Sequence, residues 1–472
     1  MFLLRVSEYG CTLNTRRGTA GYILAALLLG ASAGAQQTQP VTPRTVPTEV
    51  PPPVKNATVP LPGDIAARPL TAAEAARIAV AKQPSMEAAR QAIEAAKART
   101  QQTRAGALPS VVVAGQYNDV ESLNTVNGVS SVAAGSPVAP GYAATATVRQ
   151  LLFDFAHTRN LVLQSSLLEK SAQDSLLRVR YDLVYQTQQA FYQYSVALAN
   201  LNISEQSLAS RRKQLALAQA RLKAGFGLPS DVARAETSSA QGVASLISAR
   251  NIADSARINL ALIMAVDPRT PLTIDTADAP PVAGTDVNRM VADALARRPE
   301  VLIAEDNIRS AKYGVKAARS TNAPVVSANV EVSSRGSNFP PGADTFVVGV
   351  SVSWNPFDGG FTPGKVNEAR ANQASAVATR ESVKLGVIAD VSITYSAMRT
   401  AEQRFTAATN EVANARELLR IAEGRFASGL GIFLDIVDAE TALENAESDL
   451  TSAQLNANVA RAALAHAVGM PL

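Results

Sequence analysis

Cysteine, histidine and aromatic residues are scarce in this chain. Its 472 residues include one cysteine, Cys11, and two histidines, His157 and His466, and 5% of the residues are aromatic. One cysteine excludes a disulfide within the chain, and two histidines 309 positions apart, with no acidic or cysteine cluster at ligand spacing, predict no metal site. A Ser/His/Asp constellation and a phosphate-binding glycine loop are also missing. We therefore expect no enzymatic activity, no cofactor and no nucleotide site.

A strong excess of one charge is missing too. The formal net charge is +4, and Arg5, Arg16 and Arg17 against Glu8 place +2 of it in the first 35 residues. The remainder is close to neutral, so the basic isoelectric point gives no reason to expect nucleic acid as a partner.

Long apolar runs are absent beyond the first residues. Arg16 and Arg17 precede the apolar run Tyr22–Leu29, which is too short for a membrane anchor, and Ala33–Ala35 fits a signal-peptidase site. We expect a cleaved signal peptide at 1–35, whose removal takes Cys11 with it, and the arginine pair leaves both the general and the twin-arginine export route open. No later segment is apolar enough for a transmembrane helix, so any contact with a membrane is expected through β-strands.

The chain repeats itself at an offset of 204 residues. Arg221–Glu236 reappears as Arg425–Glu440, and the junction Arg149–Phe155 corresponds to Ser353–Gly360. Each half reads helix, strand, strand, long helix, helix, which indicates two similar units side by side. The predicted organisation is a signal peptide at 1–35, a Pro-rich linker at 36–69, a first repeat at 70–270, an inter-repeat linker at 271–285 and a second repeat at 286–472.

Each repeat is predicted to begin with helix and continue with two strands. In the first, Thr71 and Glu74 form a capping box, and Pro84 bends or breaks a helix that runs to about Ala107. The strands follow at 109–118 and 143–153, with a loop between them, and the second repeat has them at 324–333 and 345–354. Apolar and polar residues alternate along them, as on a lipid-facing barrel strand, and a half-buried strand of a soluble sheet has the same pattern.

Long helices follow the strands. From His157 to about Ala224 the sequence contains no proline or glycine, which predicts roughly 100 Å of helix at 1.5 Å per residue. A second helix from Asp231 to about Val266 folds back after a turn, and the second repeat copies this at 364–428 and 434–468. Four strands do not close a membrane barrel, because the smallest barrels have about eight. The chain is therefore expected to pool strands with copies of itself, and two copies would give eight strands and three would give twelve.

These features together resemble the TolC-type outer membrane efflux protein family over residues 70–472. The resemblance is carried by the doubled order of elements, by the junctions "LLFDF" and "WNPFDGG", and by the turns "RLKAGFGLPSDV" and "RFASGLGIFLDIVDAE". It implies a mostly α, internally duplicated fold with a small β part. It further implies a homotrimer whose α-helical barrel crosses the periplasm and continues into a shared 12-stranded transmembrane β-barrel among outer membrane lipids. The implied partners are a periplasmic adaptor (membrane fusion) protein and an inner-membrane transporter.

The junctions are interpreted as structural joints. A strand that turns sharply into a helix needs unusual dihedral angles, which glycine permits, and an Asp to cap the new helix. The residues assigned to these joints are Phe153, Asp154, Phe357, Asp358, Gly359 and Gly360.

Two aspartates at the second turn are candidates for a pore constriction. Asp435 and Asp438 lie three positions apart, on one helical face. The resemblance implies that this pair forms a ring of carboxylates across three subunits, which would favour cations. The alternative is ordinary helix-start chemistry, in which an acidic residue caps free amides, and this is the interpretation we favour for Asp231.

The turns also depart from the family pattern. The resemblance implies that the Asp at position 231 pairs with an Arg and a Tyr of the second turn, but these positions hold Gly431 and Phe426. We expect the closed state to depend instead on apolar packing by Leu228, Leu430, Ile432 and Phe433.

A docking site for the adaptor is implied just before the tips. The residues are Arg221, Gly225, Arg425 and Gly429, and ordinary helix-end capping explains the same residues equally well.

The sequence leaves three functions open. The first is the passive exit duct of a tripartite efflux system that passes small molecules, and the second is the same duct in type I protein secretion. The third is a non-channel periplasmic coiled-coil adaptor or spacer, which would carry a single helical hairpin without a repeated strand module.

Overall fold

A computed structural model describes residues 69–118, 123–126, 129–132, 141–275, 286–336 and 339–470. The predicted signal peptide, almost all of the Pro-rich linker and residues 276–285 lie outside the described residues. Among the helices that are described, none combines the length and the apolar character needed to cross a membrane.

Eight α-helices, one short 3-10 helix (Ser320–Asn322) and six strands are described. The helices are α1 (Ala72–Lys82), α2 (Pro84–Ala105), α3 (His157–Lys223), α4 (Pro229–Ile263), α5 (Val287–Arg297), α6 (Pro299–Arg319), α7 (Phe361–Ala427) and α8 (Phe433–Val468). The strands are β1 (Ser110–Asn118), β2 (Leu123–Val126), β3 (Val129–Val132), β4 (Gly141–Phe153), β5 (Val325–Gly336) and β6 (Ala343–Ser353).

The short helices start and stop where local chemistry requires. Thr71 Oγ1 accepts from the backbone N–H of Glu74 at 3.2 Å, and the Glu74 carboxylate accepts from the N–H of Thr71 at 3.3 Å, which completes the predicted capping box of α1. A proline lacks the amide hydrogen that would continue the helix, so α1 ends before Pro84, which is the first residue of α2. Pro299 separates α5 from α6 in the same way.

The helices that follow the strands are the largest elements. Helices α3 and α7 have 67 residues each, and α4 and α8 have 35 and 36. The buried residues of α8 are mainly alanines, and such small side chains allow helices to pack closely. These bounds agree with the predicted helices to within a few residues.

The strands form one four-stranded antiparallel sheet and one small hairpin. The order in the sheet is β1-β4-β5-β6, so β1 and β6 are its outer strands. Strands β2 and β3 pair only with each other, within the segment for which a loop was predicted. That prediction was wrong at 123–126 and at 129–132, where two short runs with β-branched residues pair as antiparallel strands.

The register of the sheet places like residues beside each other. Val111 pairs with Val148, Val148 with Val330 and Val330 with Val348, so one valine from each strand forms a row across the sheet. Because successive side chains of a strand point to opposite faces, this row and the polar pair Ser327–Ser351 lie on opposite faces. We refer to the face that carries the row as the valine face.

Two compact units share the described residues. One contains the sheet with residues 101–162 and 316–367, and the other contains most helical residues at 69–100, 163–315 and 368–470. In the helical unit, α1, α3, α4 and α8 share a core around Phe191, Leu260 and Met264. Leu272 and Ile274 are buried in this core, and Ile274 bridges Leu70, so the described part of the predicted inter-repeat linker is packed structure.

Candidate functional site

The two turns between long helices end in the same geometry. Gly225 and Gly429 have positive φ angles of 78° and 75°. The amide of Phe226 donates to the carbonyl oxygen of Arg221 at 3.0 Å, and the amide of Leu430 donates to that of Arg425 at 2.9 Å. A left-handed glycine followed by this bond is the Schellman ending of a helix, so both glycines have a structural reason for their positions.

Arg221 contacts the second turn. Its Cζ lies 4.0 Å from the ring centroid of Phe426, and its Nη2 donates to the Phe426 carbonyl oxygen at 3.4 Å. The predicted docking residue and the residue at the family's tyrosine position therefore meet within one chain. A guanidinium over an aromatic face is attractive by about 0.5–2 kcal/mol. Arg425, its counterpart 204 positions later, is exposed.

An apolar cluster lies beneath this contact. Phe426 and Phe433 are buried with ring centroids 5.9 Å apart, and they pack with Ile436 and with alanines of all four long helices. Of the four residues predicted to close the tip, Phe433 is thus buried inside the chain. The other three, Leu228, Leu430 and Ile432, are 60–77% exposed in the single chain.

The three tip aspartates differ in their contacts. Among the described residues, the Asp231 side chain has no hydrogen bond or ion pair, although it lies in the first turn of α4. The Asp435 carboxylate accepts from the amide of Ile432 at 3.4 Å, which is a helix-start contact, and Asp438 is exposed one turn later. One chain does not test the predicted ring, which stays a prediction.

Gly431 has little space for a side chain. A Cβ at this position would lie 3.1 Å from the Cβ of Arg425 and 3.1 Å from the amide nitrogen of Phe426. An arginine at this family position would therefore require the turn to shift by a few tenths of an ångström. The tightness of this turn is therefore consistent with glycine, rather than arginine, at position 431.

The two joints have equivalent caps. Asp154 accepts from the amide of Thr158 at 2.7 Å, and Asp358 accepts from the amide of Thr362 at 2.8 Å. In both joints, the two residues after the Asp have positive φ angles. These angles are 52° for Phe155 and 63° for Ala156 in the first joint, and 64° for Gly359 and 92° for Gly360 in the second. Phe153 lies edge to face against Phe155 at 4.7 Å, and Phe357 is exposed.

A polar cluster between α3 and α8 was missed by the sequence analysis. We name it the Arg211 cluster, and it consists of Ser207, Ser210, Arg211, Gln214, Glu440 and Glu444. Spacings of three and four residues place the four members on α3 on one face of that helix. The two members on α8, Glu440 and Glu444, are four residues apart and face them. Helical spacing of polar residues is the one signal for it, and solvent-exposed faces carry the same signal.

Arg211 is the centre of this cluster. Its Nη2 donates to Glu444 Oε2 at 2.5 Å, its Nε to Ser207 Oγ at 3.2 Å and its Nη1 to Ser238 Oγ of α4 at 3.1 Å. Glu440 Oε1 accepts from Ser210 Oγ and Gln214 Nε2, both at 2.5 Å. Burial raises the pKa of Glu440, and the charges of Glu423 and Glu444 add to this, while Ser210 and Arg211 oppose it.

His466 also belongs to the α3–α8 boundary. Its Nε2 lies 2.9 Å from Asp182 Oδ1, and its ring stacks on Tyr185 with centroids 5.2 Å apart. The contact with Asp182 is an ion pair when the imidazole is protonated. Across the described residues, no group of three or more His, Cys, Asp or Glu has the arrangement of a metal site.

Comparisons with known proteins were made for sequence and for structure. BepC of Brucella suis biovar 1 (strain 1330), an outer membrane efflux protein, is 26% identical over 352 residues, which are 73% of this chain and 76% of BepC. PrtF of Dickeya chrysanthemi, a proteases secretion protein, is 23% identical over 66% of this chain and 69% of PrtF. A crystal structure of CusC superposes with a TM-score of 0.74 at 17% identity, covering 84% of this chain and 92% of CusC.

The profile of one protein family matches most of the chain. It is the outer membrane efflux protein profile, and it matches residues 75–266 and 290–470. The mostly helical fold with a small sheet agrees with the solved channels of this family. The resemblance inferred from the junctions and turns is thereby confirmed, and the chain belongs to the outer membrane efflux protein family.

Proposed function

We propose that the chain is the outer-membrane exit duct of a tripartite efflux system. Three copies pool their strands into one 12-stranded barrel in the outer membrane, and their helices form a tube through the periplasm. An inner-membrane transporter and a periplasmic adaptor deliver small molecules to the tube, which passes them without chemistry of its own. The protein reaches this place with a signal peptide that is cleaved on export.

The single observation that carries this proposal is the valine face of a sheet with two outer strands. Val111 and Val348 on its outer strands and Phe346 of β6 are about two-thirds exposed, which is costly in water and favourable in lipid. The free edges of β1 and β6 would be equally costly in lipid, because each unpaired backbone group there costs several kcal/mol. Further copies of the same sheet satisfy both requirements.

The equal helices support the duplicated tube. Two elements of 67 residues, each followed by one of 35 or 36, are what a doubled hairpin requires. Rods of about 100 Å suit a tube through a wide compartment. The exposed apolar tips Leu228, Leu430 and Ile432 would then meet those of the other copies at the closed end.

The second turn supplies the proposed ion filter. Asp435 and Asp438 from three copies would form six carboxylates around the axis and attract cations. For adaptor docking, Arg425 and the rim of both turns are better candidates than Arg221, whose guanidinium is already engaged with Phe426.

The second candidate function is type I protein secretion. The similarity to PrtF, a protein named for protease secretion, favours it. It requires the same duct and differs in the pump and the cargo.

The proposal is tested on the purified protein in detergent. We expect the mass of three copies, and in planar lipid bilayers we expect ion current. A water-soluble single copy that carries no current would contradict it.

Two matched variants test the role of the valine face. Val330→Arg places a charge on that face and should prevent stable trimers in the outer membrane, since arginine on the lipid face costs about 2–4 kcal/mol per copy. Glu331→Arg changes the neighbouring residue on the opposite face and should assemble normally. Equal assembly of the two variants would contradict the assignment of this face to lipid.

A further inference from the structure

A cleft between α3 and α8 lies apart from the sites described above. It belongs to the helical unit and has a volume of about 300 Å³. On both helices its lining residues recur at spacings of three and four, so each helix contributes one face. The volume corresponds to about ten water molecules of the liquid and is at the lower end of the range for ligand pockets.

The floor of the cleft is part of a packed core. Tyr192 is 2% exposed and packs in the core around Phe191, and Leu455 is partly buried against the same core. Ser195 and Ala199, which follow Tyr192 along α3, are small and keep the two helix surfaces apart. The space is therefore preformed and needs no rearrangement to admit a ligand.

Three polar side chains in the cleft have no hydrogen-bond partner. Ser195, Gln454 and Asn458 line it, and among the described residues none of these side chains makes a hydrogen bond or an ion pair. Asn458 is 8% exposed, so the residue is more than nine-tenths buried with its amide unpaired beside the cleft. Because buried amides almost always have a partner, this arrangement indicates that the partner is a molecule in the cleft.

The chemistry of the lining restricts the ligand. In the described part of the chain, the lining residues carry no charge, and their hydroxyl and carboxamide groups both donate and accept hydrogen bonds. An ion would lose its hydration without meeting an opposite charge. A flat aromatic compound would find no exposed ring, since Tyr192 is buried. A compound with several hydroxyl groups and a face of C–H groups fits, because Val196 and Leu455 supply apolar surface.

The equivalent positions of the repeat carry charges instead. At the offset of 204 residues, the three polar residues of the cleft correspond to Arg399, Arg250 and Asp254. Arg250 pairs with Glu205 at 3.5 Å and Asp254 pairs with Arg257 at 3.8 Å. Helix surfaces at these positions thus accept charged side chains with partners in the chain itself. The uncharged and unpaired set is particular to the cleft.

We propose that this cleft binds an uncharged sugar of monosaccharide size, either free or as the end of a glycan chain. Ser195, Gln454 and Asn458 exchange hydrogen bonds with its hydroxyl groups, and Val196 and Leu455 contact its C–H face. The inference goes beyond the proposed exit duct and does not depend on it, because the cleft lies between two helices of one chain.

Binding is measured on the purified protein by saturation-transfer NMR. A polyoxyethylene detergent is used, because a maltoside detergent would itself present a sugar. Glucose, galactose and N-acetylglucosamine are the uncharged probes, and we expect at least one to bind saturably with a Kd of about 0.1–10 mM. At about pH 6, glucosamine is a cation and glucuronate an anion. Both should bind at least about tenfold more weakly than the best uncharged probe.

A longer probe separates the two sources of such a sugar. Maltotriose that binds as well as glucose, or better, would assign the cleft to the end of a glycan chain. Binding about tenfold weaker than that of glucose would assign it to free sugars, because the cleft is then closed to a second ring.

Variants on α8 test the residues. Asn458→Leu removes the buried amide at nearly constant volume, and Gln454→Arg places the charged residue of the other half at an exposed position of the cleft. Each should weaken binding of the best uncharged probe at least about tenfold. Asn456→Leu is the matched control, because Asn456 is exposed on α8 and does not line the cleft. It should leave binding within about twofold.

The outcomes separate this proposal from the duct. The sugar site would be overturned by the absence of saturable binding of all three uncharged probes, by equal binding of charged and uncharged sugars, or by equal effects of Asn458→Leu and Asn456→Leu. Planar bilayers measure ion current with the same preparations. Sugar binding without current would overturn the duct and leave the site in place, and current without sugar binding would overturn the site alone.

Discussion

The two strand-to-helix joints reach one backbone conformation with different residues. Gly359 and Gly360 adopt positive φ angles that glycine accepts without strain, and Phe155 and Ala156 also adopt positive φ angles, against the preference of their side chains. The geometry is therefore required by the turn from strand to helix, and glycine makes it easier rather than making it possible. In the first joint, the ring contact between Phe153 and Phe155 and the Asp154 cap contribute to holding the strained backbone.

The packing positions around Arg211 and their equivalents in the second half show the opposite distribution of specialised residues. Here the first half has the specialised residues, Arg211 with Gly242, and the second half has Ala415 and Ala446 at the equivalent positions. Ala446 is fully buried, so the second half fills with a methyl group the place that the first half keeps open for a guanidinium. The difference shows that the glycine at 242 serves its neighbour and has no backbone requirement of its own.

The largest expected change in stability comes from giving the first half the residues of the second half, with alanine in place of Arg211 and of Gly242. Arg211→Ala should lower the free energy of unfolding by about 2–4 kcal/mol, because Glu444 stays buried without its cation. Gly242→Ala alone should lower it by about 1–2 kcal/mol through the clash with Arg211 Cδ. In the Arg211→Ala background the same change should cost less, since alanine favours helix and only the contact with Leu208 Cδ1 at 3.2 Å remains.

Denaturant unfolding of the purified protein measures this cycle. Gly386→Ala on α7 is the control, because a Cβ there meets nothing within 4 Å and only the helix preference acts. Additive effects of the changes at 211 and 242 would contradict the dependence of one on the other.

The next comparison concerns the two tips. Asp435 and Asp438 of the second turn correspond to Asp231 and Arg234 of the first, so only the second places two carboxylates on one face. Asp435→Asn/Asp438→Asn should reduce the cation-to-anion permeability ratio several-fold, about 1 kcal/mol per ion. Reversal potentials in a salt gradient measure the ratio, with Asp231→Asn as the matched variant. A larger change in the permeability ratio with Asp231→Asn would assign the proposed ion filter to the first turn.

Exchanging glycine and alanine between the two joints should change the stability of the protein in opposite directions. Gly360→Ala is expected to destabilise the protein by about 1–2 kcal/mol, because φ is 92° and L-residues resist this angle. Ala156→Gly is expected to stabilise it by less than about 1 kcal/mol, since relief of strain exceeds the entropy that glycine adds to the unfolded chain. Thermal unfolding in detergent compares them, and effects of the same sign would contradict the account of strain.

The smallest expected effect is a pH dependence from Glu440. Its raised pKa means that the folded protein prefers the protonated acid, so this contribution to stability is complete at low pH and is lost as pH rises through the folded pKa. Glu440→Gln should therefore raise the melting midpoint at pH 7 by about 1–2 °C and leave it unchanged at pH 4. Glu236→Gln, at the exposed equivalent position, is the control. A larger gain of Glu440→Gln over the wild type at pH 4 than at pH 7 would contradict this sign.

The long elements were predictable because their signals are local. Proline-free stretches gave α3 and α7 to within a few residues, and Thr71 with Glu74 gave the start of α1. Alternating residues gave four strands of the sheet. The hairpin β2–β3 was missed because the glycine- and serine-rich segment around it favours a loop.

The pairings within the candidate site were not predictable from one sequence. Arg221 was interpreted as a docking residue, and only the fold brings it to Phe426, 205 positions away. The Arg211 cluster depends on α3 and α8 meeting in one register, which no local pattern specifies. Gly431 was recognised as a departure from the family, but the closeness of Arg425 Cβ, which explains why a glycine suits that turn, required coordinates.

The pairing of β4 with β5 has a consequence for the order of folding. Strands β1 and β4 are near in sequence and need only a short loop to pair, whereas β4 can pair with residues 326–336 only when some 170 further residues are available. Until then, β4 has an edge that attracts strands of any neighbouring chain. Export in an unfolded state, with a chaperone that shields this edge, would keep half-made sheets from aggregating before the second half arrives.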